Sequence, residues 1–436
     1  MGRLVRKIKA KMRKAQITLF LIIGIIILLG AGLLIYMVSI TPEKKGEEKV
    51  VGQTLRQQAV QPVKDYITTC LDIVSSDALE LVGRQGGRLY QEQGSIIPNP
   101  PSDKLGITFM DYDDLKLSYS IVPPKGNVGA LFFSDVPDYP WPSFPYTASG
   151  NTSYLGYFGL SRLPALYKNF STDSIQQQLE TYISNNIAKC TLWDDKFPGF
   201  KITAGTPETT MIIAENLTHL RQEEYISFVL DWPVTITEES SGARITLDRF
   251  KVNYPIAFGR IYYTIKSIIE AEISNMSYEP VTTDAYFITI NKNGYNKDDI
   301  LVYQDKKYRL RGVPYEFRIA RKNRAPALHL IDQKEIDKFA YCVDIVKFSL
   351  QGNKLYASPD LEEGDPFPLN ITAVDPDNDV ISFKLKPATP KVDSYAVALY
   401  KDNPAKGGLL FKVYADDGEL EDYQQIRIIP KGCAED

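Results

Sequence analysis

A chain of 436 residues is long enough for two or three domains, each with a core of its own. Its formal net charge of −4 hides an uneven distribution: the first fifteen positions carry seven basic side chains and no acidic one, leaving 43 basic against 54 acidic in the remainder, net −11. An acidic body of that kind favours solubility and removes nucleic acid from the expected partners.

The seven cations, Arg3, Arg6, Lys7, Lys9, Lys11, Arg13 and Lys14, form a leader over residues 1–15, and Leu19 to Val38 then carries no charge. At about 1.5 Å per residue, such a segment covers the roughly 30 Å hydrocarbon core of a lipid bilayer. The pattern predicts a transmembrane helix over residues 16–40. Its apolar core outruns the roughly 7 to 15 residues of a secretory signal, so it reads as a retained signal-anchor. The basic flank keeps the N-terminus cytoplasmic, which places the large C-terminal part outside the cell membrane.

The basic leader, Lys14-Ala15-Gln16 and the helix opening Ile17-Thr18-Leu19-Phe20 resemble the class III signal peptides of archaeal type IV pilin-like and archaellin-like proteins. The resemblance implies cleavage between Ala15 and Gln16 by a prepilin-type peptidase, discarding the leader and keeping the apolar helix. Two departures stand beside it. The exterior is large for a pilin-like subunit, and Phe20 holds the fifth position after the cut, where bacterial major pilins carry glutamate.

A polar tether, residues 41–52, has no apolar periodicity. From Gln53, the residues Leu55, Ala59, Val63, Tyr66, Cys70, Val74, Ala78 and Leu81 recur every three or four positions. That spacing predicts an amphipathic helical segment over 53–90, with Pro62 starting or kinking a helix and Gly86-Gly87 ending it. Residues 91–322 read as an α+β exterior region. Strand-like runs fall at 107–110 and 115–122, and the stiff loop Pro137 to Tyr146 either presents Tyr139, Trp141, Phe144 and Tyr146 to a glycan or protein ligand or covers the domain's own core. Asp173 or Ser174 caps a helix with Ile175, Leu179, Tyr182, Ile183 and Ile187 on its apolar side. The runs 210–214, 225–237 and 243–252 predict an antiparallel meander. A helix from Phe258 to near Asn275 offers one stripe for that sheet, and further strands follow at 285–290, 300–304, 307–311 and 315–319.

Residues 323–436 show short strands between Gly, Asn, Asp and Pro turns, at 343–350, 369–373, 380–386, 396–400, 408–415 and 424–429, the pattern of a β-sandwich. The turns Glu363-Gly364-Asp365, Ala373-Val374-Asp375-Pro376-Asp377-Asn378-Asp379 and Tyr414-Ala415-Asp416-Asp417-Gly418 resemble those of cadherin-like and related immunoglobulin-like modules of cell-surface proteins. In that family the corresponding acidic turn can bind Ca2+, which implies Asp375, Asp377, Asp379 and Asp416 as oxygen ligands. The same Asp-Pro-Asp-Asn-Asp run also makes a ligand-free turn.

Cys70, Cys190, Cys342 and Cys433 allow three pairings. Organisation alone favours Cys70 with Cys190, tying two helices, and Cys342 with Cys433, tying the ends of the sandwich. Sequons at Asn151, Asn169, Asn216, Asn275 and Asn370 become glycosylation sites on an exported glycoprotein wherever they are exposed. No catalytic set stands out: His219 and His329 are the only histidines, and the phosphate-loop, dinucleotide and His-Glu-x-x-His patterns are absent.

The fold class is therefore an α+β exterior, with amphipathic helices, a mixed α+β middle domain and a C-terminal β-sandwich, behind a transmembrane helix. The leading expectation is a membrane-anchored cell-surface protein for adhesion, ligand binding or envelope organisation, associating with itself or another envelope protein. A processed pilin-like subunit of a surface filament is the alternative. An exterior glycoside hydrolase also stays open, because its two carboxylates are recognised by spatial separation and not by sequence.

Overall fold

Pro62 sits in the first turn of α1 (Gln61–Arg84), where its missing N–H leaves no intrahelical bond unmade. The helix stops as the sequence predicts, before Gly86 and Gly87, whose φ values of +71° and +82° suit glycine. The computed structural model describes residues 60–99, 109–124, 139, 141, 158–191, 193, 195–214, 225–292, 297–332, 334, 346–358, 369–387, 396–397 and 409–428. The leader, the apolar segment and the tether lie outside them, as do Ala15 and Gln16. Among the described residues no helix is long and apolar enough to cross a membrane.

After α1 come β1 (Phe109–Tyr112), β2 (Leu115–Val122), β3 (Leu160–Ser161), α2 (Ile175–Ile187), β4 (Phe200–Ala204), β5 (Glu208–Ala214), β6 (Tyr225–Glu238) and β7 (Arg244–Tyr254). They are followed by α3 (Phe258–Ser274), β8 (Tyr286–Lys292), β9 (Asp299–Leu310) and β10 (Val313–Arg321). One sheet has β6 at its centre, paired antiparallel with β7 on one side and with β5 and β4 on the other. A second runs β1-β2-β10-β9-β8, with β3 beside β2 and a parallel step between β10 and β2.

α1 lies against α2 and reaches β7 of the first sheet and β10 of the second. This explains a difference from the predicted stripe. Val63, Ile67, Leu71, Ala78, Leu79 and Val82 are buried, whereas Tyr66, Cys70, Val74 and Leu81 form partly buried flanks. A helix with partners on several sides buries a wider arc than a single-stripe reading assigns. α2 follows its prediction: Ser174 Oγ accepts the Gln177 N–H at 3.2 Å, and Ile175, Leu179, Tyr182, Ile183 and Ile187 are all buried.

α3 also forms where its period places it, but its strand contacts are with β2 and β3 of the second sheet, and Phe258 stacks at 6.1 Å on Tyr315 of β10. The two runs expected at 300–304 and 307–311 are one strand, β9. At the polar run between them the register with β10 slips, and Asp305 Oδ1 accepts the N–H groups of Lys307 and Tyr308 there at 2.8 and 2.9 Å.

The last unit comprises β11 (Ala327–Leu328), β12 (Val346–Gln351), β13 (Lys354–Ser358), β14 (Leu369–Asn370), β15 (Ala373–Val374), β16 (Ser382–Pro387), β17 (Ala396–Val397), β18 (Leu409–Asp416) and β19 (Glu421–Ile428). Its sheets run β14-β13-β12-β17 and β16-β18-β19, with β11 paired to β15. It has a separate small core of Leu328, Ile371, Leu385, Phe411, Val413, Ala415 and Ile426, against which Leu350 of the first of these sheets also packs. The described chain is thus an α+β fold dominated by sheet, with three α-helices among the described residues and an all-β unit at its C-terminal end.

Candidate functional site

The densest arrangement of charge lies where β10 leaves the α+β body and enters the all-β unit. On β10, Tyr315, Phe317 and Ile319 alternate inward, and Arg321 continues the same parity into the interior. On α3, Glu272 falls on the apolar stripe, three residues beyond Ile269. The two meet: Arg321 Nη1 donates to Glu272 Oε2 at 2.9 Å, and the guanidinium also engages Asp299 of β9. Both side chains of the first pair are at most 1% exposed.

Arg324, fully buried, makes the corresponding bond to the all-β unit. Its main-chain N–H donates to Asp377 Oδ2 at 2.7 Å, and its Nη2 donates to Asp377 Oδ1 at 2.7 Å and to the Pro376 carbonyl at 2.9 Å. Nη1 reaches the Phe158 carbonyl at 3.0 Å. Lys292 closes the rim, donating to the Asp377 carbonyl at 2.6 Å and to Asp379 Oδ1 at 3.2 Å. Nearby, Asn323 bridges the two units again, through Asp298 at 2.9 Å and Asp417 at 3.2 Å.

The electrostatics follow from burial. Desolvation pushes the Glu272 and Asp299 carboxyls up, against the pull of Arg321. Burial works against the Arg321 charge as well, but Glu272, Asp377 and Asp299 outweigh it and hold the guanidinium protonated. Asp375 is pushed up to about 7, first by burial, while the N–H of Asp379 draws it the other way.

The acidic turn is therefore an Asx turn docked on arginines. Asp375 Oδ1 accepts the N–H groups of Asp377 and Asp379 at 2.8 and 3.1 Å, and Asn378 takes a left-handed φ of +58°. Asp375, Asp377 and Asp379 share this turn, whereas Asp416 pairs with Lys384 on the neighbouring strand and accepts the Gly418 N–H at 2.6 Å. Among the described residues no group of three or more His, Cys, Asp or Glu is placed to hold a metal ion.

The aromatic loop serves the same junction. Trp141 is fully buried with Met276 and Ala327, its ring 5.0 Å from Tyr139 and 5.9 Å from Phe158. Tyr139 OH accepts the Ala325 N–H at 2.9 Å. Of the two readings of the loop, Trp141 takes the packing one, with Tyr139 half-buried beside it. Phe144 and Tyr146 lie outside the described residues.

Cys70 of α1 and Cys190 after α2 form a disulfide, Cα atoms 6.4 Å apart, while Cys342 and Cys433 lie outside the described residues. Of the sequons, Asn169, Asn275 and Asn370 are exposed, and Asn275 Oδ1 accepts the Ser277 N–H at 3.0 Å. Asn151 and Asn216 lie outside the described residues.

Fold and site together define a class: an α+β body with a disulfide-tied helix pair, fastened to an all-β unit by a buried arginine–carboxylate junction. Comparison of the chain with family models, with curated proteins and with solved structures found no match.

Proposed function

We propose that the chain is a membrane-anchored cell-surface protein that holds a rigid exterior body for adhesion, ligand binding or envelope organisation. The observation that supports this reading is the Cys70–Cys190 disulfide, which joins the first two described helices of the body and suits an oxidising exterior. It agrees with the basic leader and the uncharged stretch from Leu19 to Val38, which direct the body outward. Fractionation of native material, with protease added to intact cells, tests it. The protein is expected in the membrane fraction with its body digestible from outside. Recovery in the soluble cytoplasm with both thiols free would reject the reading.

A second reading, a processed pilin-like subunit of a surface filament, draws on Lys14-Ala15-Gln16 and on an amphipathic helix following the apolar one. Intact-mass measurement separates the two. A chain beginning at Gln16 and pelleting with filaments supports the subunit; a chain retaining Met1 in membranes removes it.

A further inference from the structure

Three sequons lie among the described residues, Asn169-Phe170-Ser171, Asn275-Met276-Ser277 and Asn370-Ile371-Thr372, and each begins with an exposed asparagine. Exposure of the asparagine therefore does not separate them. N-glycosyl transfer to a folded acceptor asks for more than an accessible amide: the whole tripeptide enters the transferase, so the middle residue and its main chain must leave the protein surface as well.

The three middle residues differ. Phe170 is 80% exposed, whereas Met276 is 3% and Ile371 1% exposed. Met276 is packed with Trp141 and Ala327, and Ile371 belongs to the small core of the all-β unit. Drawing either one out exposes an apolar side chain, which makes the open form roughly ten- to a hundredfold rarer. Phe170 carries no such penalty.

The main chain repeats the contrast. Asn370 lies in β14 opposite Lys354 of β13, the Ile371 N–H donates to the Asn353 carbonyl at 2.8 Å, and the Thr372 carbonyl accepts the His329 N–H at 2.9 Å. Asn275 closes α3 with its N–H on the Ala271 carbonyl at 2.9 Å, and its own Oδ1 is engaged by the Ser277 N–H at 3.0 Å. Asn169 stands outside every helix and strand, in a turn closed by the Phe170 N–H on the Tyr167 carbonyl at 3.1 Å. Ser171 Oγ donates within the same loop, to Asp173. Lifting this tripeptide breaks no strand or helix hydrogen bond.

We propose that Asn169 is N-glycosylated and that the fold excludes Asn275 and Asn370. In the transfer, Asn169 Nδ2 forms a bond to the anomeric carbon of a polyprenyl-phosphate-linked oligosaccharide. The bond from that carbon to the phosphate oxygen breaks, the electron pair leaves with the lipid phosphate, and one amide proton is released. The inference deepens the outward-facing reading and rests on it for the compartment in which the donor is met; the choice among the three asparagines rests on the fold alone.

Folded full-length protein in detergent micelles is incubated with a purified oligosaccharyltransferase and a polyprenyl-phosphate-linked oligosaccharide, and its peptides are mapped by mass spectrometry. The Asn169 peptide should gain the glycan mass at least about tenfold more than the Asn275 and Asn370 peptides, the scale of the burial difference. Ser171→Ala should abolish that gain and Ser171→Thr keep it, and isolated peptides of the three sequons should lose the preference. No transfer to Asn169 overturns the proposal, as does equal transfer to Asn275 or Asn370. The same preference in the isolated peptides also overturns it, because the choice would then lie in the tripeptide and not in the fold. In native material, a bare Asn169 on chains whose body is digestible from outside intact cells overturns the glycan and leaves the outward reading standing. Confinement of the chain to the cytoplasm removes the outward reading, while transfer to the purified folded chain still decides the selection.

Discussion

Replacing Arg324 with methionine isolates what the junction contributes. Methionine fills much of the same volume but removes the guanidinium from Asp377, a carboxylate whose side chain is 1% exposed. Breaking a buried pair by deleting one partner costs about 3–5 kcal/mol where the survivor is left without a counter-charge. Asp377 keeps Arg321 Nε at 3.1 Å, whereas the carbonyls of Phe158 and Pro376 lose a donor, so the lower end of that range, about 3 kcal/mol, is expected. The loss should fall first on the attachment of the all-β unit, since its small core is separate from that of the body. Urea unfolding reports it through tryptophan fluorescence: Trp141 is packed at the junction, whereas Trp193 and Trp232 stack on each other in the body at 5.6 Å. The junction signal should move to lower urea and separate from the body signal. Adding Asp377→Leu to the methionine variant should recover at least half of the loss, as expected when the penalty is an unpaired charge. A loss below about 1 kcal/mol, or a double variant no better than the single one, refutes the reasoning.

Asp422 supplies a pH test. Burial pushes its carboxyl from an ordinary 3.8 up to about 6, against the N–H groups of Leu328 and Tyr423. Between those values the folded state holds the extra proton, so this group's contribution is complete below about pH 4 and is lost as pH rises through 6. Asp422→Asn should flatten that part of the melting profile, and an unchanged slope would contradict the assignment. Replacing Cys70 and Cys190 with serine, which opens a cross-link spanning 120 residues, should lower stability by roughly 2–5 kcal/mol and abolish the effect of reductant on melting. A reductant response that persists would place the sensitive bond at Cys342 and Cys433 instead. Gly83→Ala raises helix propensity, yet its methyl would overlap the Glu316 carbonyl and stand 3.0 Å from the Tyr315 hydroxyl, so a loss of about 1–3 kcal/mol is expected in chemical denaturation. A gain would show that the α1–β10 contact yields. Millimolar Ca2+ should leave the melting temperature unchanged, because Asp377 is already engaged by Arg324; a rise abolished by Asp379→Asn would show that a cation enters the turn.

Much of the body was legible because its elements obey one period each. α2 and α3 announce themselves through a cap and apolar stripes, and β5 to β7 through runs of β-branched and aromatic residues. What escaped was set by tertiary partners. β13, Lys354–Ser358, alternates too briefly to stand out beside its glycine turn, and α1 shows a wider buried arc than any single stripe. The aromatic loop was open to two readings because exposure is decided by what covers a side chain, here Met276 and Ala327. The junction has its own signal in the sequence. Arg321 continues the inward parity of Tyr315, Phe317 and Ile319, and Glu272 sits on the stripe of Ile265 and Ile269. A charge at a position where the pattern demands an apolar side chain implies an opposite charge elsewhere in the interior.

These contacts form one path through the molecule. The chain enters the described body at Val60 and runs directly into α1, which the Cys70–Cys190 disulfide joins to α2 and which Tyr315 joins to β10 through a 3.0 Å bond to the Leu79 carbonyl. β10 then delivers Arg321 and Arg324, three residues apart, to the acidic turn of the all-β unit: Arg321 pairs with Glu272, Asp299 and Asp377, and Arg324 with Asp377 at 2.7 Å and Glu272 at 3.8 Å. Each step is covalent, buried or both, the kind of contact that opens least readily. A guanidinium inside the fold supplies the positive charge for the acidic turn from the chain itself.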